Sequence, residues 1–137
     1  MRCAHVIFYT VVSLAVIGIG SFAFAGEPMK CEVGPVDKTI GTGDWFVYGC
    51  EDDKSLVFVT KKNNPAFPFF FMYAAVDGKY KLHGEGNGAK QYTKLAFEEL
   101  KAYKWENFES LLLETSQKSS LAELKNTNTK QRKGTQE

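Results

Sequence analysis

The sequence predicts an α+β fold in which an antiparallel sheet of two or more hairpins has two C-terminal helices packed on one face. Two pairs of short runs rich in aromatic and β-branched residues, each pair joined by turn residues, indicate the hairpins. After the second pair, the apolar spacing changes from two residues to about 3.6 residues, which is typical of amphipathic helices. We therefore expect one small domain followed by a polar tail.

The first segment of the chain has the features of a secretory signal peptide. Arg2 supplies the positive charge, residues 6–20 are mostly apolar and uncharged, and residues 23–25 (Ala-Phe-Ala) form a small-x-small cleavage site. We expect residues 1–25 to be removed and the product to be periplasmic or secreted, with no membrane association after cleavage. The alternative is a retained anchor, since the uncharged run is long enough to span a bilayer.

Cleavage would leave two cysteines in the exported protein. Cys3 departs with the signal, and export with an even cysteine count favours a disulfide between Cys31 and Cys50. Arg2 is the only charged residue of the removed segment, so the remaining basic residues equal the 16 Asp plus Glu in number. This balance indicates no partner by charge. The C-terminal tail, residues 117–137, has a small excess of basic residues but no aromatic residue among them, and so we expect no nucleic-acid partner.

The first predicted hairpin joins residues 45–50 to residues 55–60 through an acidic four-residue loop. The register set by that loop places apolar residues on both faces of the hairpin. One face holds Trp45, Val47, Leu56 and Phe58, and the other holds Phe46, Tyr48, Val57 and Val59. Strands with two apolar faces usually lie inside a sheet or under a helix. Residues 26–42, with glycines and prolines among polar residues, are expected to form an irregular arm.

The second predicted hairpin is centred on Asp77-Gly78, a pair favoured where both central turn residues need positive φ. An apolar run, residues 69–76, precedes the turn, and an alternating run, residues 79–85, follows it. The core face is expected to hold Phe71, Tyr73, Ala75, Tyr80 and Leu82. The opposite face is apolar on the first strand and polar on the second. Either a helix covers that first strand, or an apolar strip is open to a partner.

Helical spacing begins after a glycine-rich connection. The apolar positions predict one helix over residues 90–103 and a second, short helix from about Asn107, a suitable N-cap residue. Residues 117–137 have too few apolar side chains to offset the cost of ordering and are expected to be disordered. The predicted single α+β domain is therefore residues 26–116.

The expected mature chain has few groups suited to catalysis. Its single histidine, His83, lies on the polar side of a predicted strand, so we expect no metal site. There is no Gly-x-Ser-x-Gly motif for a nucleophilic serine, and the glycine-rich residues 84–90 lack the ending of a phosphate-binding loop. We therefore expect a non-enzymatic protein without a cofactor. A small hydrolase that uses Glu85 and a second acid is the remaining enzymatic hypothesis.

The predicted binding site surrounds the glycine-rich loop, residues 84–88. This loop connects a strand to a helix, whose free N-terminal amides could contact an anion or a small ligand. The residues expected to bind are Tyr48, His83, Glu85, Asn87 and Tyr92. They predict an interaction or ligand-binding domain whose partner is a protein or a small ligand.

Two short motifs resemble exported protein families. Residues 48–50 (Tyr-Gly-Cys), with residues 87–92 (Asn-Gly-Ala-Lys-Gln-Tyr) downstream, resemble the periplasmic inhibitors of C-type lysozyme, which have a Tyr-x-Cys strand and a Ser-Gly-x-x-Tyr loop. The resemblance implies inhibition of a cell-wall hydrolase, with Asn87 where those proteins have serine. Residues 43–47 (Gly-Asp-Trp-x-Val), ahead of Cys50, are similar to the opening of exported invasion-associated β proteins.

Overall fold

A computed structural model describes residues 28–133, so the predicted signal peptide, residues 1–25, lies outside the described residues. Five antiparallel strands form one sheet in which each strand pairs with the next along the chain. The strands are β1 (Val33–Ile40), β2 (Gly43–Gly49), β3 (Leu56–Thr60), β4 (Phe69–Val76) and β5 (Lys79–Gly86), and the helices are α1 (Lys90–Ala102) and α2 (Trp105–Lys133). This arrangement confirms the predicted α+β fold, in which two C-terminal helices pack on the sheet.

The hydrophobic core lies between the helices and one face of the sheet, here called the helix face. Trp45 is buried at its centre, where its indole Nε1 donates a hydrogen bond to the Ile40 carbonyl at 3.0 Å. The Trp45 and Phe71 ring centroids are 5.3 Å apart. The strands contribute most of the residues predicted for this face, and the helices add Ala96, Leu100, Phe108 and Leu111. Ala75 and Tyr80, also predicted for the core, lie outside this cluster, and the Tyr80 ring packs between Tyr73 and Trp105. Lys38 and Glu114, 2.7 Å apart, connect β1 to α2 at the rim.

Both predicted hairpins are present with the predicted registers. Asp77 and Gly78 have φ values of 51° and 71°, so the turn has the two positive φ angles that favour Asp-Gly. In the β2–β3 loop, an Asp52 carboxylate oxygen accepts hydrogen bonds from the Ser55 amide at 2.8 Å and the Lys54 amide at 3.1 Å. The other oxygen accepts from the Ser55 hydroxyl at 2.6 Å. Burial acts to raise the Asp52 pKa, but these hydrogen bonds together lower it below the usual aspartate value.

The first strand corrects one expectation from the sequence. Residues 26–42 were expected to form an irregular arm, yet Val33–Ile40 forms β1 and pairs with β2. The register shifts between Val33 and Val36, so Pro35 falls at an irregularity on an edge strand, where its missing N–H costs least. The predicted disulfide between Cys31 and Cys50 is present and attaches the segment before β1 to the end of β2.

The second helix begins earlier and ends later than the spacing predicts. It begins at Trp105, so Asn107 lies in the first turn and not at the N-cap. The Asn107 Oδ1 accepts a hydrogen bond from the Lys104 amide at 2.9 Å, which caps the start of the helix. The helix continues to Lys133, whereas the sequence predicts a disordered tail from residue 117. Leu, Ala, Glu, Lys and Gln in this part favour helical propagation. Its side chains are nearly all exposed and add nothing to the core.

Neither helix within residues 28–133 combines the length and the apolar character needed to cross a membrane.

Candidate functional site

A cleft of about 360 Å³ opens between the end of β5 and the start of α1. Its floor consists of three phenylalanine rings, those of Phe69, Phe71 and Phe97. The Phe69 and Phe71 ring centroids are 5.0 Å apart in an edge-to-face arrangement, and those of Phe71 and Phe97 are 6.1 Å apart. The cleft therefore offers an aromatic surface continuous with the hydrophobic core.

Gly84 creates the space for these rings. In β5 the helix-face positions are Tyr80, Leu82 and then Gly84, so the side-chain series is interrupted at the residue that pairs with Phe71. A Cβ atom at Gly84 would lie 2.7 Å from Phe71 Cε1 and 2.8 Å from Phe69 Cε1. Its missing side chain lets both rings lie against the β5 backbone and leaves the cleft above them open.

The rim of the cleft on the α1 side is basic. Lys90 and Lys94 are exposed, lie one helical turn apart and line the cleft. Neither forms an ion pair with any residue from 28 to 133. Further along the same side of α1, the Lys101 ammonium lies 5.5 Å from the Phe97 ring centroid and 3.8 Å from a Glu98 carboxylate oxygen. Cations thus border an apolar floor.

The glycine-rich loop is packed against the preceding connector. The Asn87 amide donates a hydrogen bond to the Pro68 carbonyl at 3.0 Å. Gly88 is so close to Ala66 that an added Cβ would overlap the Ala66 carbonyl oxygen. These contacts fix the position of α1 relative to β5 and so define the width of the cleft.

Three of the five predicted site residues share the sheet face opposite the helices. Tyr48 and His83 occupy one row across the sheet, because Tyr48 pairs with Val57, Val57 with Met72, and Met72 with His83. Glu85 lies in the adjacent row. Tyr92, in contrast, packs against the core on the helix side.

Asn87 and Glu85 line a second hollow of about 290 Å³, together with Phe67 and Pro68. The structure therefore brings Glu85 and Asn87 together, and it places Tyr48 and Tyr92 on opposite sides of the sheet. Within residues 28–133 there is no group of three His, Cys, Asp or Glu side chains placed to bind a metal ion.

The residues that line the cleft between β5 and α1 were not among the five predicted to bind, although Gly84 belongs to the predicted glycine-rich loop. Phe69 and Phe71 were assigned to a strand and Phe97 to a helix, and Lys90 was assigned to the start of that helix. The signal that could have indicated the cleft is Gly84, a glycine at a core-facing position of an alternating strand, which often marks a close approach of another group.

No protein-family model, no curated protein and no solved structure matches this chain.

Proposed function

We propose that the protein is an exported, non-enzymatic ligand-binding domain, and that the cleft between β5 and α1 binds a small amphipathic anion. The ligand class is a flat apolar body that bears one carboxylate or sulfonate group. The supporting observation is the combination of an aromatic floor with Lys90 and Lys94, which have no carboxylate partner among the described residues.

The two parts of the cleft contribute differently to affinity. Burying about 100 Å² of apolar ligand surface on the phenylalanine floor contributes about 2.5 kcal/mol. Each exposed lysine contributes about 0.5 kcal/mol toward an anionic group, because solvent screens the charge. The floor therefore supplies most of the affinity, whereas the lysines select an anion over a neutral or cationic molecule of the same shape.

The proposal is tested by titration with 2-naphthoate, followed by amide chemical shifts in ¹⁵N-labelled protein. We expect shifts centred on Gly84 and Thr93 and weaker binding of the neutral analogue 2-naphthalenemethanol. Replacing both lysines (Lys90→Gln with Lys94→Gln) should weaken 2-naphthoate binding about fivefold, since two screened contacts are lost.

The matched control removes two exposed lysines from α2 (Lys118→Gln with Lys125→Gln) and should leave binding unchanged. Equal affinity for the anion and the alcohol would refute the proposed ligand class. Shifts confined to residues outside the cleft would refute the site itself.

Inhibition of a cell-wall hydrolase stays a prediction from the sequence resemblance. The geometry adds no observation in its favour, because Tyr48 and Tyr92 lie on opposite sides of the sheet. A lysozyme assay tests it directly, and absence of inhibition at micromolar protein would exclude it.

A further inference from the structure

The sheet has a second apolar surface on the side opposite the helices, here called the open face. Its centre consists of six half-buried side chains from three adjacent strands: Phe46, Tyr48, Val57, Val59, Phe70 and Met72. They form two rows, because Phe46 pairs with Val59 and Val59 with Phe70, while the Tyr48 row runs beside them to Met72. Within residues 28–133 both helices pack on the other side, and no element covers this face.

This composition is unusual for a sheet face in contact with water. A half-solvated antiparallel sheet normally alternates apolar and polar residues, so that the solvated face is polar. Soluble proteins rarely expose contiguous apolar patches larger than a few hundred Å², and larger patches mark interaction sites. The open face is therefore a candidate interaction surface.

We infer that a second copy of this chain packs on the open face, so that two sheets form a face-to-face sandwich. Sheets that pack face to face lie about 10 Å apart and interdigitate apolar side chains from their inner faces, which two open faces provide. A two-fold axis that lies in the interface, perpendicular to the strands and between the two rows, places the Phe46 row of one copy on the Tyr48 row of the other. Apolar residues then contact apolar residues throughout the centre.

The charges at the edge of the open face support this symmetry. Along β5 the residues on this face are Lys79, Lys81, His83 and Glu85, so one end is basic and the other acidic. Glu85 extends the Phe46 row and His83 extends the Tyr48 row. The same two-fold axis sets Glu85 of each copy opposite His83 of the other, with Lys81 next to it. The β5 edge is thus complementary to itself, as an isologous interface must be. At the β1 edge, Asp37 extends the Phe46 row and is already paired with Lys61 of the same copy.

The size of the face sets the expected strength of the dimer. Five strands about 4.8 Å apart and five to eight residues long cover roughly 600 Å² per copy. That is at the lower end of specific interfaces, so we expect a dimer with a dissociation constant of about 10–100 µM. This interface is separate from the cleft, and it does not depend on the proposed ligand.

Sedimentation velocity tests the inference. The whole sequence is expressed, and the purified protein is measured at concentrations from about 1 µM to about 1 mM, which bracket the expected dissociation constant. The wild type should convert from monomer to dimer across this range. Met72→Lys places a charge at the centre of the interface and should raise the dissociation constant at least tenfold. The matched control is Leu113→Lys on α2, where the leucine is already 60% exposed, and it should dimerise as the wild type does.

Near-ultraviolet circular dichroism checks that each variant folds. If Met72→Lys does not fold, Met72→Thr replaces it, because threonine suits an exposed strand position.

The charge pairing is tested by exchange. His83→Glu alone and Glu85→Lys alone should each weaken the dimer, whereas both changes together restore the pairing and should recover most of the affinity. A protein that stays monomeric at all concentrations overturns the inference, as does a dimer that Met72→Lys leaves unchanged. A dimer weakened equally by the single and double exchanges overturns the two-fold arrangement.

Discussion

The two faces of the sheet are built from the same strands but have different surroundings. On the helix face, Trp45, Phe58 and Phe71 are almost fully buried beneath α1 and α2. On the open face, alternate residues of the same strands, among them Phe46 and Phe70, stay half-buried and shield mainly one another. Because β2, β3 and β4 are apolar at successive positions, they have two faces suited to packing, although the described chain covers only one. The other face is available for association.

The largest expected effect comes from the same substitution made once on each face. Phe58→Ala removes a ring with no exposed surface and should lower the free energy of unfolding by about 3–5 kcal/mol, because a cavity remains. Phe70→Ala, on the open face, should cost about 1 kcal/mol in the monomer, since water can fill the space. Urea unfolding measures both losses at 1 µM protein, which is below the expected dissociation constant of the dimer, so that the protein is monomeric. Equal losses would show that the open face is covered in the monomer.

A smaller loss of stability is expected from substituting two glycines, one in β5 and one in the turn before it. Gly84→Ala should lower the free energy of unfolding by about 1–3 kcal/mol, because its Cβ would overlap the Phe69 and Phe71 rings and force them to move. Gly78→Ala meets no atom within 4 Å but retains a positive φ of 71°, so it should cost about 1 kcal/mol through the backbone alone.

Binding of 2-naphthoate separates the two glycine effects. Gly84→Ala should weaken binding because the floor of the cleft is displaced, whereas Gly78→Ala should leave it unchanged. If both glycine variants bound the probe as the wild type does, the rings near Gly84 would not form the floor of the site.

Most of the fold could be predicted from the sequence because its signals are local. The Asp77-Gly78 turn, the registers of both hairpins and the first helix follow from turn chemistry and periodicity, and the structure confirms each. Strand β1 could not be predicted in the same way. Gly34 and Pro35 indicate an irregular segment, and only pairing with β2 and packing against α2 stabilise it as a strand.

The candidate site was less predictable because it depends on contacts between distant elements. The sequence singled out the glycine-rich loop, which lies next to the cleft, but it could not show that α1 leaves the rings near Gly84 uncovered. It also left two possibilities for the strip on β4, a covering helix or an open surface. The position of the helices decides this question for the described residues, and that position is a property of the whole fold.

The smallest expected effect concerns the loop between β2 and β3, which lies at one end of the sheet. Asp52 has a lowered pKa, so it stabilises the folded state above its unfolded pKa of about 3.8. That contribution is lost as the pH falls through the lower pKa of the folded state.

Asp52→Asn should therefore reduce the free energy of unfolding by about 1 kcal/mol at pH 6, and the difference should nearly vanish at about pH 2. Urea unfolding at the two pH values measures it, with Asp53→Asn, an exposed neighbour, as the control. Because the Ser55 hydroxyl also accepts a hydrogen bond from the Ala75 amide at 3.2 Å, the loss should reach β4 as faster hydrogen exchange at that amide. A difference between wild type and Asp52→Asn that stays constant with pH would mean that the ionised carboxylate does not stabilise the loop.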